Sequence, residues 1–114
     1  MSTPADRLTA IQAIYLDAIG NETSDLAKAQ TNADVAAIQA NVANAQLIYY
    51  TAEAAALTNN APDVEAAYTD ATTALNGVKQ ARAASAAIPT LLGALNNATS
   101  AATNLLQTAK SAGA

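Results

Sequence analysis

Residues that break helices are almost absent from this chain, and their absence limits the fold more than any other feature. Only three prolines and four isolated glycines occur in 114 residues, whereas 33 positions hold alanine, the strongest helix former. Between Leu26 and Leu57 there is neither glycine nor proline, so a helix of about thirty residues, roughly 45 Å long, fits there. The sequence therefore predicts an all-α fold.

Capping residues and apolar spacing divide the chain into helices. Thr3 followed by Pro4 and Asp6 is typical of a helix start, and so is Pro62 followed by acidic residues after a turn-forming segment. Within each segment apolar residues recur at spacings of three and four. We expect a single domain with helices over about 4–19, 24–58, 62–87 and 90–110, arranged as an antiparallel helical hairpin or a three-to-four-helix bundle.

Pro89 interrupts the last long helical segment. A proline inside a helix removes one backbone hydrogen bond, and it disfavours helical geometry at the residue before it. We therefore expect a break or kink between Ile88 and Leu92, with Pro89 as a hinge.

Large apolar residues are scarce for a chain of this size. It has 11 Leu, 6 Ile and 4 Val, and it contains neither Phe nor Trp. A core built mainly from alanine is thin, and thin cores often gain stability by association. The composition therefore favours a helical protein that assembles with copies of itself.

The residue inventory excludes the most common active sites of helical proteins. The chain contains no His and no Cys, so catalytic triads, haem ligation by His, thiolate metal sites and disulfides are not available to it. The closest carboxylate pairs, Asp63 with Glu65 and Glu22 with Asp25, stand at predicted helix starts, where acidic residues serve capping and the helix dipole. We expect no catalytic residue, no cofactor and no metal, and we expect that the protein is not an enzyme.

Charge and hydropathy also limit the partners. Five basic residues are scattered along a chain of net charge −4, which disfavours binding to nucleic acid. The most apolar run, 83–95, is too short to span a bilayer, although membrane insertion after a conformational change stays open. The first ten residues lack a basic segment followed by an apolar one. We therefore expect a protein that stays in the cytoplasm or leaves it without a cleaved signal peptide.

Two long stretches carry no charge at all. One lies between Asp34 and Glu53, and the other lies between Arg82 and Lys110. Solvated helix faces normally carry Lys, Glu or Arg, whereas the centres of protein interfaces are depleted of charge, so we interpret these stretches as interaction surfaces. Asn, Gln and Thr can form hydrogen bonds across such a contact without the desolvation cost of an ion.

Small residues in the second stretch mark the place where another helix can approach most closely. Together with three leucines of the same stretch and one tyrosine of the long helix, they define a predicted assembly interface made of Tyr50, Leu91, Leu92, Leu95, Ala98, Ala101 and Ala102. We expect a self-assembling structural subunit that packs into a filament, a sheet or a closed oligomer. The alternatives are a small helical adaptor or an effector exported without a cleaved signal, which would bury the same faces against another protein or, less favourably, a membrane.

Overall fold

Five helices make up the described part of the chain. The computed structural model describes residues 2–110, and within this range it contains no β-strand. The helices are α1 (Pro4–Gly20), α2 (Glu22–Lys28), α3 (Asn32–Ala54), α4 (Pro62–Ala83) and α5 (Ile88–Ala109). The four long helices pack as a bundle, and the short α2 lies against α1 and α3. The prediction of an all-α helical bundle is confirmed.

Ion pairs at both ends show that α1 and α4 run in the same direction. Near the start of both helices, Arg7 Nη2 lies 3.4 Å from Glu65 Oε1. Near the end of both, Arg82 binds Asp17. α5 follows α4 after a turn at 84–87 and packs closely along it, so α5 runs the opposite way.

The remaining long helix, α3, is antiparallel to α1 and parallel to α5. Gln12 of α1 donates a hydrogen bond to Tyr49 of α3, whereas Ala18, further along α1, packs with Val42, which is earlier in α3. The order around the bundle is α1, α3, α5, α4, and α1 also touches α5 across one diagonal. Since α3 and α4 occupy the other two corners and scarcely touch, the connection between them, residues 55–61, crosses the end of the bundle diagonally.

A buried arginine holds this diagonal connection in place. Arg7 is 0% exposed, yet an acceptor lies near each of its five N–H groups. Nη1 donates to the carbonyl oxygens of Leu57 at 2.8 Å and Asn59 at 3.0 Å. Nη2 donates to the Asn60 side chain and the Ser2 carbonyl, both at 2.9 Å, and Nε donates to the Ser2 hydroxyl at 3.0 Å. A buried guanidinium is tolerated only when its donors are satisfied, and here they tie α1 to the connection.

A second arginine joins three helices at the other end of the bundle. Arg82 of α4 donates from Nε and Nη2 to the two carboxylate oxygens of Asp25 in α2, at 3.2 and 2.8 Å, and from Nη1 to Asp17 in α1. Burial alone would lower the pKa of the Arg82 guanidinium, but its hydrogen bonds to Asp25 and Asp17 outweigh burial and raise that pKa. The ion pairs therefore fasten α2 to the end of α4.

A capping box at α1 and a proline in the first turn of both helices explain why α1 and α4 begin where they do. The Thr3 hydroxyl accepts from the Asp6 amide at 3.1 Å, and the Asp6 carboxylate accepts from the Thr3 amide at 2.9 Å. Pro4 and Pro62 stand in the first turns of α1 and α4, where the N–H that proline lacks would have no helical partner. Both helices start at the positions that the capping pattern predicts.

The prediction of a single helix over 24–58 is wrong, because residues 29–31 separate α2 from α3. A helix cap explains this break. The Thr31 hydroxyl accepts from the Asp34 amide at 3.1 Å, and the Asp34 carboxylate accepts from the Gln30 amide at 2.9 Å. The first of these bonds satisfies an amide group in the first turn of α3, which has no helical partner.

The interruption expected at Pro89 is present, but it precedes the proline. Residues 84–87 form the turn between α4 and α5, and Pro89 stands in the first turn of α5. The helix is continuous from Ile88 to Leu92, which corrects the expected position of the break. Pro89 therefore begins a helix and does not kink one.

The turn itself has the hydrogen bonds of a Schellman motif. The Ala86 amide donates to the Ala81 carbonyl and the Ser85 amide donates to the Arg82 carbonyl, both at 3.0 Å. Ser85 has a left-handed backbone with a φ of 52°. The end of α4 is thus determined by a serine in a position that usually holds glycine.

Candidate interaction surface

Four of the residues predicted to form the assembly interface lie inside the single chain. Leu91, Leu95, Ala98 and Ala102 are at most 3% exposed and pack in the core. α5 needs this apolar stripe itself, because it contacts α1, α3 and α4 at once. Their assignment to an interface is corrected: in the folded bundle they cannot reach a second molecule.

The other three predicted interface residues are more accessible. Leu92 and Ala101 are half-buried and pack against the core. Tyr50 is 52% exposed, whereas its neighbour Tyr49 is half-buried. Tyr50 is therefore the predicted interface residue most open to a partner.

The two uncharged stretches lie side by side in the fold. They contain most of α3 and the whole of α5, and these helices are neighbours in the bundle. We call the exposed residues of α3 between Asp34 and Glu53, together with the exposed residues of α5, the neutral face. Its members are Ala36, Gln39, Ala40, Ala43, Asn44, Leu47, Tyr50 and Thr51 of α3 and Pro89, Thr90, Gly93, Asn96, Asn97, Ser100, Thr103, Asn104 and Gln107 of α5.

A groove lies between the two helices of the neutral face. It has a volume of about 370 Å³ and is lined by Asn44, Leu47 and Ile48 of α3 and by Thr99, Ser100 and Thr103 of α5. Leu47 stands at the groove with 66% of its surface exposed. A single exposed leucine is common on protein surfaces, and this one stands beside a groove without charged residues, as the centres of protein interfaces are depleted of charge. Sequence reasoning missed Leu47, because the apolar pattern of α3 follows the buried side of the helix.

The two threonine hydroxyl groups of the groove need no partner from outside. Thr99 Oγ1 donates to the Leu95 carbonyl at 3.2 Å, and Thr103 Oγ1 donates to the Thr99 carbonyl at 2.9 Å. Because these donors are satisfied within α5, a partner that covers the groove leaves neither of them stranded. One turn before Asn44, the buried Asn41 Oδ1 finds no hydrogen-bond partner among residues 2–110.

Three tyrosines pack together where α3 meets α1. The ring centroids of Tyr15 and Tyr49 are 5.6 Å apart, and Tyr50 packs edge-on against Tyr15 at 6.2 Å. Gln12 Nε2 donates to the Tyr49 hydroxyl at 3.2 Å. Burial raises the pKa values of Tyr15 and Tyr49 above their ordinary value of 10.0. The cluster contributes packing to the α1–α3 contact.

One carboxylate of each pair noted in the sequence, Glu65 and Asp25, has structural partners. Glu65 accepts from the Ser2 hydroxyl at 2.7 Å and from the Ser2 amide at 2.8 Å. These bonds and the one from Arg7 lower the pKa of the Glu65 carboxyl, although burial acts against them. Asp25 is bound by Arg82. Within residues 2–110, no three His, Cys, Asp or Glu side chains are grouped so that they could hold a metal ion.

Neither a membrane-spanning helix within residues 2–110 nor a similar known protein was found. In the part of the chain that the structure describes, no helix has the length and apolar character needed to cross a membrane. No protein-family model matches the chain, and no curated protein and no solved structure is significantly similar to it.

Proposed function

We propose that this protein is a non-enzymatic structural subunit that associates with copies of itself through the neutral face. The observation that carries the proposal is the side-by-side position of α3 and α5, which joins two uncharged stretches of sequence into one surface. A helix pair that only faced water would gain solubility from charged residues, and this pair has none between Asp34 and Glu53 or along α5.

The distribution of charge favours a second copy as the partner. The chain has a net charge of −4, so two copies repel each other in most orientations. The neutral face contributes nothing to this charge, and repulsion is weakest when two such faces meet. A neutral surface is also compatible with itself, which a symmetric pair of identical surfaces requires.

The neutral face is also large enough for a specific contact. Residues 35–52 of α3 extend over about 27 Å, and two neighbouring helices present a width of about 20 Å. The face covers roughly 500 Å² on each copy and about 1,000 Å² for a pair, close to the lower limit for a specific protein interface.

Sedimentation equilibrium of the purified chain tests the proposal. We expect the average mass of the wild type to rise with concentration. Ala40→Glu places a carboxylate on the neutral face, where contact would desolvate it, and should weaken association by about 30-fold, which corresponds to roughly 2 kcal/mol. Circular dichroism verifies that the variant remains helical.

Ala66→Glu is the matched control. Ala66 is an exposed alanine of α4, outside the neutral face, and the change adds the same charge with the same helix propensity. We expect it to leave association close to that of the wild type. A wild type that stays monomeric at every concentration, or equal effects of the two substitutions, would contradict the proposal.

A small adaptor that binds a different protein is the second candidate function. Leu16 and Ile19 of α1 favour it, because they are 53% and 42% exposed outside the neutral face. If the protein is such an adaptor, we expect the purified chain to remain monomeric. The sedimentation experiment therefore separates the two functions.

A further inference from the structure

Leu47 and the groove beside it are complementary features of the same surface. The leucine projects from α3 with 66% exposure, and the groove next to it has a volume of about 370 Å³. This volume is near the lower end of the roughly 300–1,000 Å³ of pockets that hold whole small molecules, so it has room for an aliphatic side chain. Within one copy the leucine borders the groove and leaves it open.

We propose that two copies pair about a two-fold axis, with Leu47 of each copy inserted into the α3–α5 groove of the other. This inference rests on the proposed function and names the contact that performs it. In a two-fold contact the same patch is used on both copies, so a residue that projects beside a groove can fill the groove of its partner reciprocally.

The chemistry of the groove fits a leucine from a second copy. The groove carries no charge, and its two threonine hydroxyls are satisfied within α5. An apolar side chain therefore enters without stranding either hydroxyl or desolvating an ion. At the edge of the groove, Asn44 and Ser100 are exposed polar residues that can pair with the polar residues of a second neutral face.

Disulfide crosslinking tests the arrangement, because the chain has no cysteine of its own. A Leu47→Cys chain with an affinity tag is mixed with an untagged Ser100→Cys chain and oxidised under conditions in which the wild type associates. We expect a mixed disulfide as the main product, because the inserted side chain lies against the groove residue of the partner. Leu16→Cys mixed with Ser100→Cys is the control and should yield little mixed product.

The outcomes separate this inference from the proposed function. If the wild type self-associates but Leu47→Cys forms no more mixed disulfide than Leu16→Cys, the copies pair through another surface and the inference is overturned. If the wild type is monomeric at every concentration, the proposed function fails and the inference fails with it. If Leu47→Cys, but not Leu16→Cys, forms mainly the mixed disulfide with Ser100→Cys, the result supports both the inference and the proposed function.

Truncation of the same leucines supplies a second measurement. Leu47→Ala removes apolar surface from both sides of the symmetric contact, and we expect it to weaken association by about 100-fold. Leu16→Ala is the matched control, since Leu16 is a similarly exposed leucine on α1. Equal association of the two variants would overturn the inference even if both remain folded.

Discussion

At the scale of single residues, Arg7 shows how one polar side chain can organise an alanine-rich bundle. Its hydrogen bonds reach Ser2, the connection at 55–61 and Glu65 at the start of α4. Sequence patterns do not reveal this role, because arginine is usually an exposed residue and four of the six acceptors of Arg7 lie at least fifty residues away along the chain. The residue that closes one end of the fold therefore had no signal in the sequence.

We predict that Arg7→Met destabilises the protein by about 3–5 kcal/mol, because it leaves the buried Leu57 carbonyl and the part-buried Asn59 carbonyl without donors. Urea denaturation followed by circular dichroism measures the change. Arg7→Lys should recover only part of the loss, since an ammonium group has three donors and lacks the planar geometry of guanidinium.

Lys79→Met is the control for this substitution, because Lys79 is an exposed basic residue of α4. We expect it to change stability by less than about 0.5 kcal/mol. Similar effects of Arg7→Met and Lys79→Met would show that the arginine network contributes nothing to stability.

At the scale of helices and turns, local chemistry sets several helix limits: side-chain caps at the starts of α1 and α3, and prolines in the first turns of α1, α4 and α5. Pro4 and Pro62 indicate helix starts in the sequence. Thr31 and Asp34 repeat the spacing of Thr3 and Asp6, but the residues around them are typical of a continuous helix, so the break was not predicted. The turn after α4 has no such sign. Ser85 occupies a left-handed position in which glycine or asparagine is expected, so the sequence alone points to Pro89 instead.

We predict that Ser85→Gly stabilises the protein by up to about 1 kcal/mol. A residue with a side chain costs about 1–2 kcal/mol in the left-handed conformation, and the greater entropy of glycine in the unfolded chain offsets only part of this gain. Thermal and urea denaturation measure the change.

The same substitution within a helix should have the opposite sign. Ser100 is an exposed serine inside α5, so Ser100→Gly should destabilise the fold by about 0.5 kcal/mol through its lower helix propensity. If Ser85→Gly is also destabilising, the backbone conformation at 85 does not carry the strain that its φ implies.

At the scale of the whole molecule, periodicity identified which residues share a face but not what covers that face. The stripe of α5 through Leu91, Leu95, Ala98 and Ala102 is apolar as predicted, and it faces the core of its own chain. The uncharged stretches were visible in the sequence, but their side-by-side position depends on the order of the helices around the bundle. That order follows from long-range contacts that no local pattern encodes.

Two glycines inside helices give a test of the neutral face. A Cβ added at Gly77 or Gly93 would meet no atom within 4 Å, so alanine at either position should stabilise the single chain by about 0.5–1 kcal/mol. Gly93 belongs to the neutral face and Gly77 does not. We predict that Gly93→Ala weakens self-association by about tenfold, because the added methyl group obstructs close contact, whereas Gly77→Ala leaves it unchanged.

Denaturation and sedimentation of both variants provide the measurement. The prediction fails if the two substitutions have the same effect on association, since the neutral face would then be no closer to a partner than α4 is. Equal gains in stability verify that the two alanines are tolerated equally within the single chain.

The diagonal connection between α3 and α4 has a consequence for folding rates. α4 and α5 are joined by a short turn and can pair early, whereas Arg7 reaches acceptors at least fifty residues away along the chain. Contacts between such distant residues carry a large loop-closure entropy, so we expect them to form after the main folding barrier. Arg7→Met should then speed unfolding and leave the folding rate nearly unchanged. Arg7 would then determine mainly the unfolding rate, and the contacts between helices that are neighbours in sequence would determine mainly the folding rate.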